Sequence, residues 1–349
     1  MDTHDVPTIK AVGKNRQWIL DARPVGKLTG KEFRWREASI PQPSNGQVLI
    51  RNLWLSVDPA QRIWMWRDSY IPKIPIGDVM ASFAVGQILE SRHPDFKAGD
   101  IVRGSFGWQD YAATDGKVFG EMHKVSPGVP PNLALSLFGI NGLTAYFGIT
   151  EVGQVKAGET VVVSGAAGAT GSVAGQIAKI KGCRVIGTAG SKEKCDWLVT
   201  EGHFDAAIDY KSEDLRARLS ALCPNGIDVF FDNVGGAVLN EVLARINLKA
   251  RIALCGSISI YDASVPQPGP ANYPNLVARR GRIVGFSGID YPSREPEAFE
   301  ALGRWQREGK LVQRKDVAVG LEHAPRAFMR LFTGENFGKQ LVKIADAAA

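Results

Sequence analysis

The chain has 349 residues, of which 44% are hydrophobic and 22% charged, and it contains 38 glycines and 19 prolines. These proportions exclude a disordered chain, a collagen-like chain and a coiled coil, and at roughly 150 residues per domain the length predicts about two domains. Lysine and arginine number 42 against 36 acidic residues, which gives a net charge of +6. This mild surplus suits an anionic ligand better than a nucleic acid, so we expect no nucleic-acid partner.

The cysteines Cys183, Cys195, Cys223 and Cys255 form no C-x-x-C pair. We expect free thiols in a reducing compartment, and residues 1–20 lack the apolar run of a signal peptide, so we expect a cytoplasmic protein. Residues 125–150 and 160–178 carry no charge and are long enough to span a membrane. Prolines and asparagines interrupt the first stretch, and glycines and serines fill the second, so we expect buried segments and no membrane partner.

The first 125 residues are rich in strand and turn signals. An Asn45-Gly46 turn precedes an apolar run over residues 48–56, and further runs cover residues 84–91 and begin at Ile101. Short strands with frequent turns predict an all-β module of the barrel type. Prolines at 127, 130 and 131 mark its end, and a helix over 324–332 with a strand over 340–344 is expected to rejoin it. The predicted domains are therefore 1–131, 132–312 and a C-terminal return over 313–349.

From Thr160 onward, short apolar runs alternate with helical spacings. We predict strands over 160–164, 184–188, 206–209, 228–231, 251–255 and 282–286. We predict helices that start near residue 173 and cover 192–202, 212–222 and 237–248, and a last helix capped by Ser293. This alternation predicts an α/β domain, a doubly wound parallel sheet of the Rossmann type.

A glycine-rich turn follows the first of these strands, in the sequence Ser164-Gly-Ala-Ala-Gly-Ala-Thr-Gly171. In a dinucleotide fingerprint, Gly168 would let the backbone approach a pyrophosphate, and Gly171 would let helix and strand pack closely. The N-terminus of the helix then offers N–H groups to the anion. A tight turn without a ligand is the alternative.

The end of the next strand separates NAD from NADP. An NAD enzyme carries Asp or Glu there for the ribose hydroxyl. This chain has small residues followed by Lys192 and Lys194, which fit a 2′-phosphate, although lysines are also common on an exposed first turn. A zinc site is not expected, because the first module has no cysteine and its histidines, His4, His93 and His123, are far apart in sequence.

Eight short motifs occur in one order along nearly the whole chain. They are the glycine turn, Leu55-Ser-Val-Asp-Pro59 with Arg62, Gly142-Leu-Thr-Ala-Tyr146, Gly190-Ser-x-Glu-Lys194, Asp209-Tyr-Lys211, Phe231-Asp-Asn-Val-Gly-Gly236, Cys255-Gly-Ser-Ile-Ser-Ile-Tyr261 and Asn336-Phe-Gly-Lys339. Together they resemble the medium-chain dehydrogenase/reductase superfamily, in its zinc-independent branch of NADPH-dependent alkenal and enone double-bond reductases. The resemblance implies a GroES-like catalytic domain beside the Rossmann domain, NADP(H) as cofactor and a homodimer.

The same resemblance implies roles for individual residues. Lys194 and Tyr210 would hold the adenosine 2′-phosphate, Asn233 and Asn336 would reach the cofactor, and Tyr261 would lie near the substrate carbonyl. The full set of implied cofactor contacts is Ala166, Ala167, Gly168, Ala169, Thr170, Gly171, Gly190, Lys194, Tyr210, Asn233, Cys255, Gly256, Ser257, Ile258, Phe286, Ser287 and Asn336. Asp58, Arg62 and Tyr261 are the implied substrate contacts.

One segment departs from the family. An aromatic residue and a methionine usually stand where this chain has Ala60 and Gln61, so the substrate contacts there differ. Nearby side chains either supply an aromatic wall instead or pack in the core; these are Trp54, Trp64, Met65 and Trp66.

The resemblance as a whole predicts hydride transfer to the β-carbon of an α,β-unsaturated ketone or aldehyde, with Tyr261 or a cofactor hydroxyl stabilising the carbonyl oxygen. A quinone reductase and a non-catalytic NADPH-binding sensor are the alternatives.

Overall fold

A computed structural model describes residues 9–118 and 120–348. The chain forms two compact units. The first contains the described residues up to Leu135, then Asp316–Asn336, and the chain from Gln340 onward; the second contains Ser136–Lys315 and Phe337–Lys339. The sequence placed the changes of domain after residues 131 and 312, and the units divide after residues 135 and 315.

The strands of the two units are numbered in chain order. They are β1 (Asn15–Leu20), β2 (Phe33–Ala38), β3 (Val48–Ser56), β4 (Phe83–Ser91), β5 (Ile101–Ser105), β6 (Tyr111–Thr114), β7 (His123–Lys124), β8 (Thr160–Val163), β9 (Arg184–Ala189), β10 (Ala206–Asp209), β11 (Ile227–Asp232), β12 (Ile246–Leu254), β13 (Arg282–Gly285), β14 (Lys315–Val319) and β15 (Lys339–Lys343).

The helices are numbered in the same way. They are α1 (Gln61–Trp64), α2 (Pro131–Ala134), α3 (Ile140–Phe147), α4 (Ala169–Ile180), α5 (Lys192–Thr200), α6 (Leu215–Leu222), α7 (Gly236–Leu243), α8 (Asn275–Arg279), α9 (Glu295–Arg307) and α10 (Ala324–Thr333).

The first unit is built on a largely antiparallel sheet. Its strands run in the order β14-β15-β3-β4-β5-β7, with β6 also paired to β3, and β1 and β2 form a separate antiparallel pair. The β3 side chains are mostly buried, as the apolar run over residues 48–56 predicts. Trp64 and Met65 lie in the main core at 2% and 0% exposure, so packing explains both, whereas Trp66 is 54% exposed. The predicted β-rich module at the start of the chain is confirmed as a separate domain with an antiparallel sheet.

The second unit is a parallel sheet covered by helices. Its strand order is β10-β9-β8-β11-β12-β13, and each adjacent pair is parallel. The central strands are short apolar runs; all four residues of β8, for example, are buried. Helices α4 to α8 connect successive strands. This is the strand order of a doubly wound dinucleotide-binding sheet, and the predicted Rossmann class is confirmed.

Two local predictions were wrong. The helix predicted over 237–248 ends at Leu243, because the chain turns there and Ile246 already begins β12. The Arg245 carbonyl accepts the Ile227 N–H at 3.0 Å, which draws this segment toward the sheet. Ser293 does not cap α9; it lies in a 3₁₀ turn, and Arg294 stands at the cap position without a side-chain hydrogen bond.

The two long uncharged stretches consist of short elements. Residues 125–150 include α2 and α3, and residues 160–178 run from β8 into α4. Across the described residues, the structure shows no helix with the length and apolar character that crossing a membrane requires.

Candidate functional site

The glycine turn lies where the strand order of the parallel sheet reverses. The chain leaves β8 at Val163, and β8 lies between β9 and β11 in the sheet. Ligands of such sheets bind at the carboxyl ends of the strands at this switch point. Gly165 has φ = +58°, a left-handed conformation that favours glycine. The Ala166 N–H donates to the Thr188 carbonyl at 2.9 Å, which fixes the turn against the end of β9.

Helix α4 begins at the turn with an open N-terminus. Gly168 is its N-cap residue, and no side chain caps it, so the first-turn N–H groups are available to an anion. A Cβ placed on Gly168 would meet Gly165 O at 3.1 Å and nothing else within 4 Å. The Thr170 hydroxyl accepts the Asn141 side-chain amide at 3.2 Å. These features fit a pyrophosphate at the turn and first residues of α4, the segment from Ala166 to Gly171.

The C-terminal segment Phe337–Lys339 packs on this turn. Gly338 donates its N–H to the Ala167 carbonyl at 3.0 Å. Its φ of +77° and a clash of 1.9 Å between an added Cβ and Arg314 O both require glycine. The Phe337 ring meets Trp197 of α5 edge to face at 5.7 Å. Sequence reasoning assigned only the preceding Asn336, which belongs to the first unit, and missed Gly338.

The ends of the next two strands carry the residues predicted for the 2′-phosphate. An added Cβ on Gly190 would lie 3.0 Å from the Tyr210 hydroxyl, so these two positions are adjacent. Lys194 is held in the first turn of α5, where its N–H donates to the Ser191 hydroxyl. Burial, with a smaller contribution from Asp209, raises the pKa of Tyr210, so its hydroxyl stays protonated.

The second lysine of this turn has another partner. Lys192 makes an exposed ion pair of 2.6 Å with Asp196, one turn further along α5.

Asn233 follows β11 directly at the switch point. Its side-chain Nδ2 donates to the Ser164 carbonyl at 2.7 Å, and its backbone N–H donates to the Ser164 hydroxyl at 2.9 Å. Asn233 is thus fixed beside the start of the glycine turn. Its own carbonyl accepts the Ile258 N–H at 3.2 Å, which ties it to the loop after β12.

The loop after β12 carries Tyr261 and folds back on itself. The Tyr261 hydroxyl accepts the Ser257 N–H at 3.1 Å, and an added Cβ on Gly256 would lie 3.2 Å from the same oxygen. Burial raises the pKa of Tyr261, although the hydrogen bond from Ser257 opposes the rise, and the nearby Cys255 and Asp232 raise it further. Cys255, Gly256, Ser257, Ile258 and Tyr261 therefore form one compact loop next to Asn233.

Phe286 and Ser287 follow the edge strand β13. The Phe286 ring packs edge to face on Phe231 at 6.0 Å, and its position leaves no space for a side chain at Gly148. Ser287 caps the short turn Gly288–Asp290. Their contact with cofactor stays a prediction.

The predicted substrate contacts of the first unit have partners of their own. Asp58 accepts the Ser56 hydroxyl, and its N–H donates to Gln61 Oε1 at 3.0 Å. Arg62 is only 3% exposed and donates to the Gly26 carbonyl at 3.0 Å. These bonds hold the segment around α1 in shape, and the roles of both side chains in binding substrate stay predictions.

The structure gives no metal-binding cluster within the described residues, that is, no group of three or more His, Cys, Asp or Glu side chains placed to hold an ion. His4 lies outside those residues. All four cysteines are free thiols.

A parallel sheet in this order, with an uncapped glycine turn at the switch point, defines a dinucleotide-binding domain of the dehydrogenase type. Comparison with known proteins identifies the family. Residues 16–122 match the family described as "N-terminal domain of oxidoreductase", and residues 169–304 match "Zinc-binding dehydrogenase".

Relatives match almost the whole chain. The NADPH-dependent curcumin reductase of Escherichia coli K12 is 41% identical over 95% of this chain and 97% of its own. The NADP(+)-dependent 2-alkenal reductase of Nicotiana tabacum is 42% identical over 95% and 98%. The crystal structure of CurA in complex with NADPH from Vibrio vulnificus is 40% identical over 95% of this chain and 100% of that one, with a TM-score of 0.90. The chain belongs to the alkenal and enone reductase branch of the medium-chain dehydrogenase/reductase superfamily.

Proposed function

We propose that the protein reduces the carbon–carbon double bond of α,β-unsaturated ketones or aldehydes with NADPH. The observation that carries the proposal is the position of Tyr261, whose hydroxyl is fixed by Ser257 N–H within a loop bonded to Asn233. The relatives named as NADPH-dependent curcumin reductase and NADP(+)-dependent 2-alkenal reductase support the same chemistry. The reaction adds a hydride to the β-carbon and a proton to the α-carbon.

The glycine turn and the neighbouring strand ends suit NADPH. The pyrophosphate would lie at the uncapped N-terminus of α4, and Lys194 with Tyr210 would hold the 2′-phosphate. When bound, NADPH supplies the hydride that adds to the β-carbon and leaves negative charge on the carbonyl oxygen of the substrate.

Tyr261 is suited to meet that charge with a proton donor. Its oxygen accepts the Ser257 N–H, and this bond leaves the phenol hydrogen available to donate. Because burial raises the pKa of Tyr261, the phenol stays protonated at neutral pH. A fixed donor at the carbonyl oxygen stabilises the developing charge, and Tyr261 or solvent then supplies the α-carbon proton.

The substrate class is tested by measuring NADPH oxidation with a panel of enals, aryl enones, cyclic enones and quinones. We expect turnover of enals or enones with saturated carbonyl products, identified by mass spectrometry. A preference for quinones would show a quinone reductase. NADPH binding without oxidation across the panel would show a sensor and refute the proposal.

The donor assignment is tested by Tyr261→Phe, with Tyr273→Phe as the matched control because Tyr273 is 63% exposed on the same segment. We expect Tyr261→Phe to lower kcat on the best enone about 100-fold, since it loses the donor at the carbonyl oxygen. NADPH affinity should stay within about threefold, since the ring remains. Full activity in Tyr261→Phe would show that another group is the donor.

A further inference from the structure

A buried carboxyl group lies beneath the switch point and has no assigned role. Asp232, the last residue of β11, is 0% exposed. Its Oδ1 accepts three hydrogen bonds, from the Ser164 hydroxyl at 2.7 Å and from the N–H groups of Val234 and Gly235, both at 2.9 Å. In the part of the chain that the structure describes, its Oδ2 is buried without a hydrogen-bond partner.

The backbone of Asp232 holds the neighbouring loop. Its carbonyl accepts the N–H groups of Cys255 at 2.9 Å and Gly256 at 3.0 Å. Ser164, bound to Oδ1, also fixes both the backbone and the side chain of Asn233. One residue therefore connects the start of the glycine turn, Asn233 and the first residues of the Tyr261 loop.

If its role were packing alone, a carboxyl group at this position would cost more free energy than an apolar side chain. Burial raises the pKa of Asp232, and the bonds from Gly235, Ser164 and Val234 only partly offset this effect. No cation lies among the partners of its side chain in the described residues. A buried carboxyl without a cation costs free energy, so its three hydrogen bonds to Oδ1 must matter for the arrangement of the strand ends.

We propose that Asp232 is a positioning residue for NADPH binding and substrate protonation. Its Oδ1 fixes Ser164, which in turn fixes Asn233, and it fixes the Val234–Gly235 turn, whose Val234 carbonyl accepts the Ser259 N–H of the Tyr261 loop. The inference rests on the proposed function. Asp232 itself is buried, so it acts through these residues and not by contact with substrate.

Asp228, at the other end of β11, offers a matched control. Its Oδ2 accepts the Thr160 N–H at 2.8 Å, and its Oδ1 accepts the Asn247 side-chain amide at 2.8 Å. The Asp228 side chain thus bonds to residues of the two strands that flank β11, β8 and β12, at the end of the sheet opposite the site. If NADPH affinity fell only because contacts between strands were weakened, alanine substitution of either aspartate should lower it.

The test compares Asp232→Ala, Asp232→Asn and Asp228→Ala in the full-length protein. NADPH affinity is measured by fluorescence titration without substrate, kcat and KM with the best enone, and stability by thermal unfolding. We expect Asp232→Ala to weaken NADPH binding and to lower kcat by about tenfold each, the equivalent of one or two lost hydrogen bonds in each case. Asp228→Ala should lower the melting temperature but keep NADPH affinity within about threefold.

Asp232→Asn serves as the rescue variant. It retains the Oδ1 acceptor with its three donors, and the oxygen that it replaces has no partner to lose. We expect it to recover NADPH affinity and kcat to within about threefold of the unmodified protein. A loss as large as in Asp232→Ala would refute the hydrogen-bonding role.

Two other outcomes would overturn the inference: unchanged NADPH affinity and kcat in Asp232→Ala, or an equal loss of NADPH affinity in Asp228→Ala. Should Asp232→Ala fail to fold, Ser164→Ala removes the hydroxyl between Asp232 and Asn233. It must then weaken NADPH binding, or the inference fails. Because NADPH titration needs no substrate, the inference is tested even if the enone proposal fails.

Discussion

Alanine substitutions at Gly168 and Gly171 test two different requirements for glycine. At Gly168 a side chain would meet the bound cofactor, and at Gly171 it would meet the protein's own backbone. A Cβ on Gly171 would lie 2.5 Å from Gly165 O and 3.0 Å from Ala166 Cα, and backbone atoms cannot swing aside. A Cβ on Gly168 would meet only Gly165 O, at 3.1 Å. The backbone of Gly168, with φ −86° and ψ 176°, is open to any residue.

The two substitutions should therefore differ in kind. Overpacking against the backbone at Gly171 costs about 2–3 kcal/mol, the upper part of the usual range, and the better helix propensity of alanine returns about 1 kcal/mol. We therefore expect a net loss of about 1–2 kcal/mol of stability. At Gly168 we expect less than about 1 kcal/mol. There the methyl group would instead keep a pyrophosphate from the backbone and weaken NADPH binding about 10- to 100-fold, the equivalent of one charge-assisted hydrogen bond.

Thermal unfolding of the unliganded protein and calorimetric titration with NADPH measure the two effects. Gly269→Ala is the control, since a Cβ there meets nothing within 4 Å. An NADPH affinity in Gly168→Ala equal to that of the native protein would refute the placement of the pyrophosphate. Unmodified stability in Gly171→Ala would refute the packing argument.

Three further predictions concern the phosphate, the thiols and the sheet edge. Lys194→Ala should raise the NADPH KM about tenfold or more and leave NADH use unchanged. Lys192→Ala should have a smaller effect, since Lys192 pairs with Asp196. Equal effects of the two substitutions in steady-state assays would refute the assignment of the 2′-phosphate to Lys194. Burial is the main cause that raises the pKa of the thiols of Cys183, Cys195 and Cys223 to about 11 and that of Cys255 to about 12. At pH 8 a disulfide reagent should therefore label the folded protein slowly, whereas the denatured protein should be labelled at all four cysteines. Strand β13 is the edge of the parallel sheet, and its Val284 is exposed. If the expected homodimer pairs along this edge, Val284→Lys should give monomers in light scattering. A monomeric unmodified protein would contradict the expected homodimer.

The order of the parallel sheet was predictable because its signals are local. Most of its strands are short apolar runs ended by a turn, and the strand predicted over 206–209 has the observed bounds. The glycine turn needed only its position after the first strand. The end of α7 was not predictable in this way, since the apolar spacing of residues 237–248 suits a helix throughout. Pairing of the following residues with β11 decides where the helix stops.

The candidate site was predictable in part for the same reason. The strands predicted over 228–231 and 251–255 end next to Asn233 and at the start of the Cys255–Tyr261 loop, and the structure brings these two segments together. The contact between Ser164 and Asp232 joins residues 68 positions apart. Only the register of β8 against β11 makes them neighbours, and no local pattern encodes that register. Gly338 was missed because its partner, Ala167, is even more distant in the chain.

The end of β8 serves two functions within a few residues. Ser164 binds Asp232 and Asn233, and the next residue, Gly165, begins the turn proposed for the pyrophosphate. The turn and the loop that carries Tyr261 are therefore not independent parts, because both depend on the position of this one strand end. A protein that must hold a cofactor and a proton donor at a fixed distance gains from such a shared support, since a small shift moves both together. This coupling gives a physical reason for a buried carboxyl group at this position, where an apolar residue would pack at lower cost.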